Sequence, residues 1–317
     1  MPTRPVIAVI GATGAQGGGL ARAILADPAR QFTLRAITRK PDSPAANALA
    51  QAGAEIVHGD LDEPETLARA FAGAWGLFAV TNFWEHFTPE REYLQAGHIA
   101  TAAREAGVGH LIWSTLEDTR RLVPLTDSRM PTLMGRYKVP HFDAKGEADA
   151  LFAGLPVTFL LTSFYWDNLI HFGMGPRRGE DGSLQFVLPM GERKLPGIAA
   201  ADIGPCALSL FRQGGPAIGQ HVGIAGEHLT GAQMAAELSR VLGEPVQHVD
   251  MAFADYAALG FPGADDLANM FHYKHDFHES FRAARPVDRT RALYPDLMGF
   301  RQWLERNVQG LPMPVTG

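Results

Sequence analysis

The amino-terminal segment joins a short apolar run, Val6–Ile10, to a glycine-rich loop, Gly11–Gly17, and then to an amphipathic stretch. An apolar run of this length predicts a β-strand that is buried on both faces. In a strand–loop–helix unit, the first glycine permits a sharp turn, the second lets backbone N–H groups approach a diphosphate, and the third lets the helix pack close to the sheet. The helix N-terminus adds unpaired donors that phosphate oxygens can accept. The sequence therefore predicts a dinucleotide-binding loop, and the alternative is a turn that only permits tight packing. The candidate cofactor-binding residues of the loop are Gly11, Thr13, Gly14, Gln16 and Gly17.

Short apolar runs alternate with longer amphipathic ones through the first 160 residues. This alternation predicts a parallel sheet wrapped in helices. The expected fold class is α/β, with a Rossmann-type doubly wound parallel sheet and a smaller α+β C-terminal domain. The predicted strands are Val6–Ile10, Phe32–Thr38, Glu55–His58, Leu77–Val80, His110–Ser114 and Val157–Leu161.

The pattern changes after the sixth predicted strand, which sets the expected domain boundary. We expect a dinucleotide-binding domain over residues 1–160 and a smaller substrate or partner domain over residues 161–317, from which some segments can return to the sheet. Thr119–Pro140 has no clear periodicity, and a loop of that length inside a domain is usually functional or mobile. The tail Leu311–Gly317 is expected to fray. The later predicted helices are Asp202–Phe211, Thr230–Leu242 (with Thr230 as cap), Ala264–His272 and Phe300–Val308.

Composition narrows the function classes. The 317 residues carry 28 Lys and Arg against 34 Asp and Glu, so the net charge of −6 argues against direct nucleic-acid binding. No apolar run approaches the roughly 18–20 residues of a membrane span. The single cysteine, Cys206, cannot form an internal disulfide and fits a reducing compartment. We therefore expect a cytoplasmic protein with no membrane segment.

The turn after the second predicted strand reads Thr38-Arg39-Lys40, at the place where the adenosine ribose is expected. An NAD-selective site has an acidic residue there, which hydrogen-bonds the 2′-hydroxyl. Arg39 can instead bind a phosphate bidentately, and Lys40 adds a second positive charge. The sequence thus favours NADP(H) over NAD(H), and the alternative is a pair of solvated surface cations.

Two further turns lie at the predicted carboxyl edge of the sheet. Asp60, followed by Leu61, can accept a hydrogen bond from the adenine amino group; alternatively, Asp60 only orders the turn while Asp62 caps the next helix. Thr81, Asn82 and Phe83 follow the fourth strand, at the edge where ligands of open α/β sheets bind. These three are candidates for the ribose–nicotinamide half of the cofactor, and the alternative is a polar turn.

These features resemble the NmrA-like family of the atypical short-chain dehydrogenase/reductase superfamily. The matching segments are the loop Gly11–Gly17, Thr38-Arg39, Val80–Glu85, Trp113–Glu117, His141–Lys145 and the region of Asn168. Val80–Glu85 and His141–Lys145 resemble in particular the subgroup of the human NmrA-like redox sensor. The resemblance spans about residues 5–310, densely in the first 170 and thinly afterwards.

The resemblance implies an NADP(H)-binding Rossmann domain and a smaller C-terminal domain that forms a cleft. It also implies cofactor sensing and regulation through a protein partner, which in fungi is a GATA-type transcription factor, whereas other relatives are active reductases. One segment departs from the pattern: the sixth strand ends in Leu161-Thr162-Ser163, where relatives have Arg-Pro or a proline. The resemblance therefore carries over the cofactor site but not the shape of a substrate pocket.

Many short-chain dehydrogenases place Tyr-x-x-x-Lys on one helix face, with a serine at the end of the fifth strand. Here Ser114 and Lys145 stand at those places, but His141 replaces the tyrosine. The i, i+4 spacing keeps His141 and Lys145 on one face. Three interpretations stay open. His141 lines a ligand pocket while Lys145 anchors the ribose without efficient turnover; or His141 is a general acid, a task that suits an imidazole; or His141 is structural.

An aromatic segment follows the sixth strand. Phe164, Tyr165 and Asn168 are candidates for a flat hydrophobic substrate pocket with Trp84 opposite, and the alternative is that these side chains belong to the core. Tyr137 could present a phenol from the loop before His141, although a surface aromatic is the simpler interpretation.

No metal or nucleophile pattern competes with these sites. His272, His275 and His278 recur every three residues, a spacing that drifts around a helix, and no cysteine lies nearby, so we predict no metal site. A Gly-x-Ser-x-Gly motif is absent, and Cys206 lies in an apolar segment as expected for a buried side chain.

Two functions remain in competition. The first is an NADP(H)-binding redox sensor or regulator with weak or no dehydrogenase activity, acting on a protein partner. The second is an NADPH-dependent reductase of a quinone, enone or aromatic carbonyl compound, with His141 and Lys145 in place of tyrosine and lysine. The expected ligands are the dinucleotide and, for the reductase, a hydrophobic small molecule. A homodimer is among the expected oligomeric states.

Overall fold

The computed structural model describes residues 4–312, so residues 313–317 of the tail that the sequence predicts to fray lie outside it. The strands are β1 (Val6–Ile10), β2 (Thr33–Thr38), β3 (Glu55–His58), β4 (Gly76–Ala79), β5 (His110–Thr115), β6 (Val157–Leu161), β7 (Phe164–Tyr165), β8 (Arg177–Arg178), β9 (Leu184–Val187), β10 (Leu195–Ile198), β11 (His221–Gly223), β12 (Glu227–Leu229) and β13 (Val246–Val249). The helices are α1 (Ala15–Ala26), α2 (Pro44–Gln51), α3 (Pro64–Phe71), α4 (Pro89–Glu105), α5 (Pro140–Ala148), α6 (Asn168–His171), α7 (Ala200–Gln213), α8 (Gly231–Leu242), α9 (Phe253–Ala257), α10 (Ala264–Asp276), α11 (His278–Ala283), α12 (Val287–Leu293) and α13 (Phe300–Asn307). Short 3₁₀ turns cover Phe83–Glu85, Thr119–Arg121, Asp149–Phe152, Gly215–Ala217 and Val308–Gly310.

The chain divides into two compact units. The first comprises the described residues up to Asp118, together with His141–Thr162 and Ala200–Val222. The second comprises Thr119–Pro140, Ser163–Ala199 and the described residues from Gly223 onward. Compared with a single boundary at residue 160, this division assigns residues 119–140 to the second unit and residues 200–222 to the first.

The first unit contains the central sheet. Within residues 4–312 this sheet has seven strands, in the order β11-β6-β5-β4-β1-β2-β3. β1 pairs in parallel with β2 and with β4, and the pairs β2–β3, β4–β5 and β5–β6 are parallel as well. The chain moves outward from β1 to β3 and then crosses to β4 on the other side of β1. The predicted doubly wound α/β sheet is therefore confirmed, with its switch point between β1 and β4.

Burial on both faces explains why apolar runs form the middle of this sheet. Strand β4 is buried along its whole length, as is β5. Helices α3 and α4 pack against each other. They cover a core that includes Leu67, Phe71, Leu77, Ile99, Leu111 and Trp113. Burying each large apolar side chain stabilises the fold by about 1.5–3 kcal/mol.

Close backbone packing brings α7 into the first unit. A Cβ built on Gly204 of α7 would lie 2.0 Å from the carbonyl carbon of Gly19 in α1, so only glycine fits at this contact. After α7 the chain adds β11 beside β6 at the edge of the sheet. Residues far along the chain thus complete the layer that begins with the glycine loop.

The second unit contains two smaller sheets. Among the described residues each has three strands, in the orders β12-β10-β7 and β13-β9-β8. β10 pairs in parallel with β7 and antiparallel with β12, so these sheets are mixed. Helix α8 begins with a capping box in which Thr230 and Gln233 exchange hydrogen bonds, and this confirms the predicted Thr230 cap.

Hydrogen bonds to the main chain hold the segment Thr119–Pro140 within the second unit. The Asn269 side-chain amide donates to the carbonyls of Pro131 and Lys138, at 2.9 and 2.6 Å. The Lys138 ammonium donates to the carbonyls of Asp127 and Met130, both at 2.7 Å. These hydrogen bonds order a segment in which the sequence shows no helix or strand periodicity. Across residues 4–312, every helix is too short or too polar to traverse a bilayer.

Candidate active site

The glycine loop makes the sharp turn that the sequence predicts. Gly11 has a φ of +65°, a conformation that favours glycine, and the Gly14 N–H donates to the Gly11 carbonyl at 2.8 Å. A Cβ on Gly17 would lie 2.5 Å from the same carbonyl oxygen, so α1 can approach β1 only because this residue is glycine. Gly14 is the N-cap of α1 and brings no side-chain cap to the first turn. The open helix N-terminus therefore suits a phosphate group, whose oxygens can accept from the first-turn N–H groups.

The strand ends that flank the switch point carry the candidate residues. β1 ends at Ile10, directly before the glycine loop, and its parallel neighbour β4 ends at Ala79, two residues before Thr81. In open α/β sheets, ligands bind in the crevice outside the carboxyl ends of the strands, at a switch point of this kind. The loop and Thr81 therefore lie on the same edge of the sheet.

Arg39, in the turn after β2, is held by an acidic residue that the sequence analysis did not single out. Its guanidinium donates a hydrogen bond to Glu85, which lies in the 3₁₀ turn after β4. This hydrogen bond raises the pKa of Arg39; partial burial opposes the shift, and the charges of Glu85, Asp60 and Asp62 reinforce it. Lys40 is exposed beside it. The proposed 2′-phosphate position thus combines two cations with three nearby carboxylates.

The turn after β3 is ordered by its own side chains. The Asp60 carboxylate accepts from the backbone N–H of Asp62 at 3.0 Å, and the Leu61 carbonyl lies 2.7 Å from Nδ1 of His98. The predicted cap at Asp62 is wrong, because Glu63 is the N-cap of α3 and contributes no side-chain hydrogen bond. The Asp62 carboxylate instead accepts from Arg91, at 2.6 and 3.2 Å, because α4 packs beside this turn.

Lys145 of α5 reaches the end of β4 and forms a buried ion pair there. Its ammonium donates to the hydroxyl and the carbonyl of Thr81, at 2.7 and 3.0 Å, and lies 2.8 Å from Oε1 of Glu92. The Thr81 hydroxyl in turn donates to the same Glu92 oxygen at 2.5 Å. Glu92, on α4, is fully buried and Lys145 is 8% exposed. Thr81 of the turn after β4 and Glu92 of α4 thus both contact the ammonium group of Lys145 from α5.

The Glu92 carboxylate is ionised despite its burial. Burial alone would raise its pKa, but the Lys145 charge and the hydrogen bonds from His86, Lys145 and Thr81 lower it to about 2. His86 contributes from the other side, with Nε2 at 3.4 Å from Oε2 of Glu92. The site therefore holds a buried charge of each sign.

His141 lies on the same helix as Lys145 and packs against the turn after β4. Its ring centroid is 4.7 Å from that of Trp84 and 6.1 Å from that of Phe83, and His141 is 6% exposed. Ser114 is buried near the end of β5, opposite Leu160 of β6. The structure thus brings Thr81, Phe83 and Trp84 together with His141 and Lys145, while Asn82 between them is exposed.

The other predicted aromatic residues belong to the second unit. Phe164 is buried, with its ring centroid 6.4 Å from that of Phe271, and Tyr165 is half-buried opposite Ile198. Asn168 is half-buried and begins α6. Tyr137 is buried, with the guanidinium of Arg136 5.1 Å from its ring centroid, so it is not the surface aromatic of the simpler interpretation.

Two of the histidines spaced by three, His272 and His275, share the neighbours Phe253 and Asp276. His272 stacks on Phe253 at 4.2 Å, and His275 hydrogen-bonds Asp276 at 3.0 Å. In the part of the chain that the structure describes, no group of three or more His, Cys, Asp or Glu side chains is placed to hold a metal ion. Burial raises the pKa of the Cys206 thiol to about 12, with Asp202 adding to the shift, so this cysteine is neutral at physiological pH.

Glu85, His86 and Glu92 are not among the residues that the sequence predicts for the site. A signal for Glu92 exists, because Glu92, Ala96, Ile99 and Ala103 share one face of α4 and are all buried. A lone carboxylate on the apolar face of a helix indicates a buried partner of opposite charge. Glu85 and His86 carry no comparable signal, since a turn residue has no periodicity to violate.

The comparisons with known proteins extend over both units. The NmrA-like family profile matches residues 3–304. The NmrA-like family domain-containing oxidoreductase FrzB of Cladobotryum sp is 28% identical over 309 residues, covering 90% of this chain and 89% of that protein. The NAD(P)H azoreductase of Xenophilus azovorans is 29% identical over 266 residues, covering 83% of this chain and 84% of the azoreductase.

Two solved structures share the fold. The crystal structure of NmrA, a negative transcriptional regulator, in complex with NADP has a TM-score of 0.74 at 22% identity, covering 95% of this chain and 94% of NmrA. The triphenylmethane reductase of Citrobacter sp., complexed with NADP(H), has a TM-score of 0.73 at 22% identity, covering 96% and 100% of the two chains. At this identity the likeness supports the architecture alone.

Proposed function

This chain belongs to the NmrA-like family, and from that premise we propose that it is an NADP(H)-dependent oxidoreductase of hydrophobic aromatic or quinone-like compounds. The proposal keeps the NADP(H) site expected from the sequence and puts the reductase ahead of the redox sensor. Two relatives that match most of the chain support this order, because one is named an oxidoreductase and the other an NAD(P)H azoreductase.

The observation that carries the proposal is that two kinds of site share one edge of the sheet. The open N-terminus of α1 follows β1, and the buried Lys145–Glu92 pair is bound to Thr81 after the neighbouring strand β4. A dinucleotide needs a phosphate cradle and, one strand away, polar groups for its second ribose. A glycine turn that served packing alone would not require a buried cation at the end of the neighbouring strand.

The residues are assigned as follows. The glycine loop binds the diphosphate, Arg39 and Lys40 the 2′-phosphate, and Asp60 and Leu61 the adenine. Thr81, Asn82 and Phe83 take the nicotinamide half together with Lys145. When bound, NADPH supplies the hydride for the reduction.

Residues of α5 and β5, beside this edge, supply the proton and contact the substrate oxygen. His141 holds a proton on its imidazole and gives it to the reduced substrate, and the Ser114 hydroxyl polarises a substrate oxygen. Trp84 packs on His141 and keeps water from that face of the ring. Flat aromatic substrates suit such a wall, and quinols need little help from a proton donor because they are acidic. Phe164, Tyr165 and Asn168 remain predicted substrate residues.

Cofactor binding is tested by thermal unfolding with each dinucleotide. We expect NADPH to raise the melting temperature more than NADH, because Arg39 and Lys40 should give NADPH the higher affinity. A ligand at 100 times its Kd stabilises the folded state by about 2.7 kcal/mol. Arg39→Glu should abolish or reverse that preference. An unchanged NADPH/NADH affinity ratio in this variant would overturn the phosphate assignment.

Turnover is tested separately, by following NADPH oxidation with a panel of quinones, azo dyes and aromatic carbonyl compounds. His141→Ala should lower turnover of the aromatic carbonyl compounds by about 10²–10⁴-fold, the usual contribution of a positioned general acid, and that of the quinones by less, because their reduced products are acidic. His171→Ala is the matched control, since His171 lies on α6 in the second unit. Oxidation with an aromatic carbonyl compound that survives His141→Ala unchanged would contradict the assignment.

A second candidate is an NADP(H)-responsive regulator that binds a protein partner. The replacement of tyrosine by His141, enclosed by Phe83, Trp84 and Phe142, favours it, because no phenol stands four residues before Lys145. Tight NADPH binding with no turnover across the panel would select the regulator over the reductase.

A further inference from the structure

We propose that Glu92 is a positioning residue, which fixes the Lys145 ammonium against Thr81 before any dinucleotide binds. The proposal rests on the proposed function, because it concerns the nicotinamide side of the same site. It assigns a role to a side chain that acts through Lys145 and not by contact with substrate.

The ammonium group of Lys145 has a fixed hydrogen-bonding capacity. A lysine carries three N–H donors and no acceptor. Here three oxygens surround Nζ within 3.0 Å: Oγ1 of Thr81, the Thr81 carbonyl and Oε1 of Glu92. The protein alone therefore satisfies the ammonium group. A ribose hydroxyl that binds Lys145 must share an N–H group with one of these three acceptors or replace that acceptor. The ammonium group that the hydroxyl meets is already oriented by the protein.

The second carboxylate oxygen of Glu92 faces His86. Nδ1 of His86 accepts from the Thr88 backbone N–H at 3.1 Å, which places the ring proton on Nε2. Nε2 lies 3.4 Å from Oε2 of Glu92, and neither atom has another hydrogen-bond partner in the described chain. The Glu92 carboxylate thus faces a ring nitrogen of His86 on one side and the Lys145 ammonium on the other, and the ammonium pairs its buried charge.

Burial makes the pairing obligatory. Glu92 is fully buried, and the side chains of His86 and Lys145 are 5% and 10% exposed. An ammonium in such surroundings, without its carboxylate, is left as an unpaired charge, and it relieves the cost by moving or by losing its proton. The position and charge of Lys145 therefore depend on Glu92.

The geometry also explains how Glu92 influences the edge of the sheet where the cofactor is proposed to bind. Thr81 is bound by Lys145 through both its hydroxyl and its carbonyl, and its hydroxyl donates to Glu92. The turn that follows carries Phe83 and Trp84, which pack against His141. Without the Glu92 carboxylate, Thr81 at the start of that turn loses one hydrogen-bond acceptor and is held less firmly.

The test compares Glu92→Gln with Glu105→Gln, a matched loss of charge at the exposed end of the same helix. NADPH affinity is measured by fluorescence titration between pH 6 and pH 9. We expect Glu92→Gln to weaken binding by about tenfold or more, the factor for one misplaced charged hydrogen bond. The difference in affinity between Glu92→Gln and Glu105→Gln should grow toward alkaline pH, because an ammonium without its carboxylate loses its proton more readily. Glu92→Asp keeps the charge and should bring the affinity back to that of Glu105→Gln at every pH.

A ligand-independent measurement separates this inference from the proposed function. Acetic anhydride acylates uncharged amines, and mass spectrometry reports the fraction modified at Lys145. We expect faster labelling of Lys145 in Glu92→Gln than in the wild type or Glu105→Gln. If the wild type binds no NADPH but the labelling differs in this way, the proposed function fails and the positioning role stands.

Equal NADPH affinities and equal Lys145 labelling in the two glutamine variants would overturn the inference. If Glu92→Gln does not fold, the double variant Glu92→Gln/Lys145→Met removes both charges and leaves none buried alone. It should regain the fold and bind NADPH weakly at every pH. A double variant that binds NADPH as tightly as the wild type would also overturn the inference.

Discussion

Glu85 and a 2′-phosphate would compete for the same guanidinium. Glu85 accepts a hydrogen bond from Arg39, and both side chains are about half exposed, at 46% and 51%. An exposed ion pair of this kind contributes about 0–1 kcal/mol. A phosphate must replace the carboxylate and also tolerate the nearby charges of Asp60 and Asp62. In the proposed site, Glu85 therefore reduces the preference for NADP(H) that we assign to Arg39 and Lys40.

Glu85→Gln should strengthen NADPH binding by a factor of about 3–5 while leaving NADH binding unchanged, in line with the modest energy of an exposed pair. Isothermal titration calorimetry with both dinucleotides measures the two affinities. Glu55→Gln is the control, because it breaks a similar pair with Arg35, at 2.7 Å, on the same sheet. Equal gains for NADH and NADPH would show that Glu85 acts on general charge and not on the phosphate.

Helix α1 and its loop use two glycines for different physical reasons. A Cβ on Gly17 would meet the Gly11 and Ile10 carbonyl oxygens at 2.5 and 2.6 Å, both of them backbone atoms that cannot move aside. A Cβ on Gly14 would come no closer than 3.3 Å to the Gly11 oxygen, and its backbone is extended, at φ −94°. Gly17 is therefore required by the fold, whereas Gly14 has more room for a side chain and is the glycine that we propose for the close approach of the diphosphate.

Gly17→Ala should lower the free energy of unfolding by about 1–3 kcal/mol, as overpacking does. Gly14→Ala should change stability by less than about 1 kcal/mol and still weaken dinucleotide binding, because the added methyl group stands at the open helix end. Urea unfolding and NADPH titration measure the two effects. Gly215→Ala is the control, since a Cβ there meets no atom within 4 Å. Equal destabilisation by the changes at Gly14 and Gly17 would refute this division of roles.

The stability of the whole molecule should depend on pH through a buried histidine of the sheet. His110 is fully buried at the start of β5, with Nε2 2.9 Å from the Thr158 hydroxyl. Burial lowers the pKa of His110 to about 4, from an ordinary 6.5. Between these values the unfolded chain binds a proton that the folded chain excludes, so stability falls as the pH drops from 6.5 to 4.

One such group costs about 1.4 kcal/mol per pH unit within that window, or about 3 kcal/mol across it. Urea denaturation at several pH values between 7 and 4 measures the slope of the wild type, to which His228 and His272 add their own parts, because burial lowers their pKa values as well. His110→Gln should give a flatter profile, because a glutamine amide does not titrate. The Glu92 carboxyl, with a pKa of about 2, contributes only below this range: its stabilisation, complete above about pH 4.5, is lost toward pH 2. Parallel profiles for the two proteins would contradict the assignment to His110.

Local sequence determined six of the seven strands that the structure describes in the central sheet, and the position of the glycine loop. These six predicted strands agree with β1–β6 to within a residue or so at each end. The strands β4 and β5 in the middle of the sheet are buried along their whole length, and such a strand needs only a continuous apolar run. The candidate groups at its carboxyl edge followed from the same argument, since parallel strands end on one side. Identifying Lys145 and His141 needed only their spacing on one helix.

Tertiary structure alone decided what those groups touch. Strands β7–β13 are two to four residues long and acquire order from partners far along the chain, such as β13 on β9, so no local pattern marks them. Glu85 and Glu92 met Arg39 and Lys145 because the turn after β4 and helix α4 pack beside residues 46 and 53 positions away. Periodicity records which side of an element is buried, whereas the partner of a buried charge depends on which elements become neighbours.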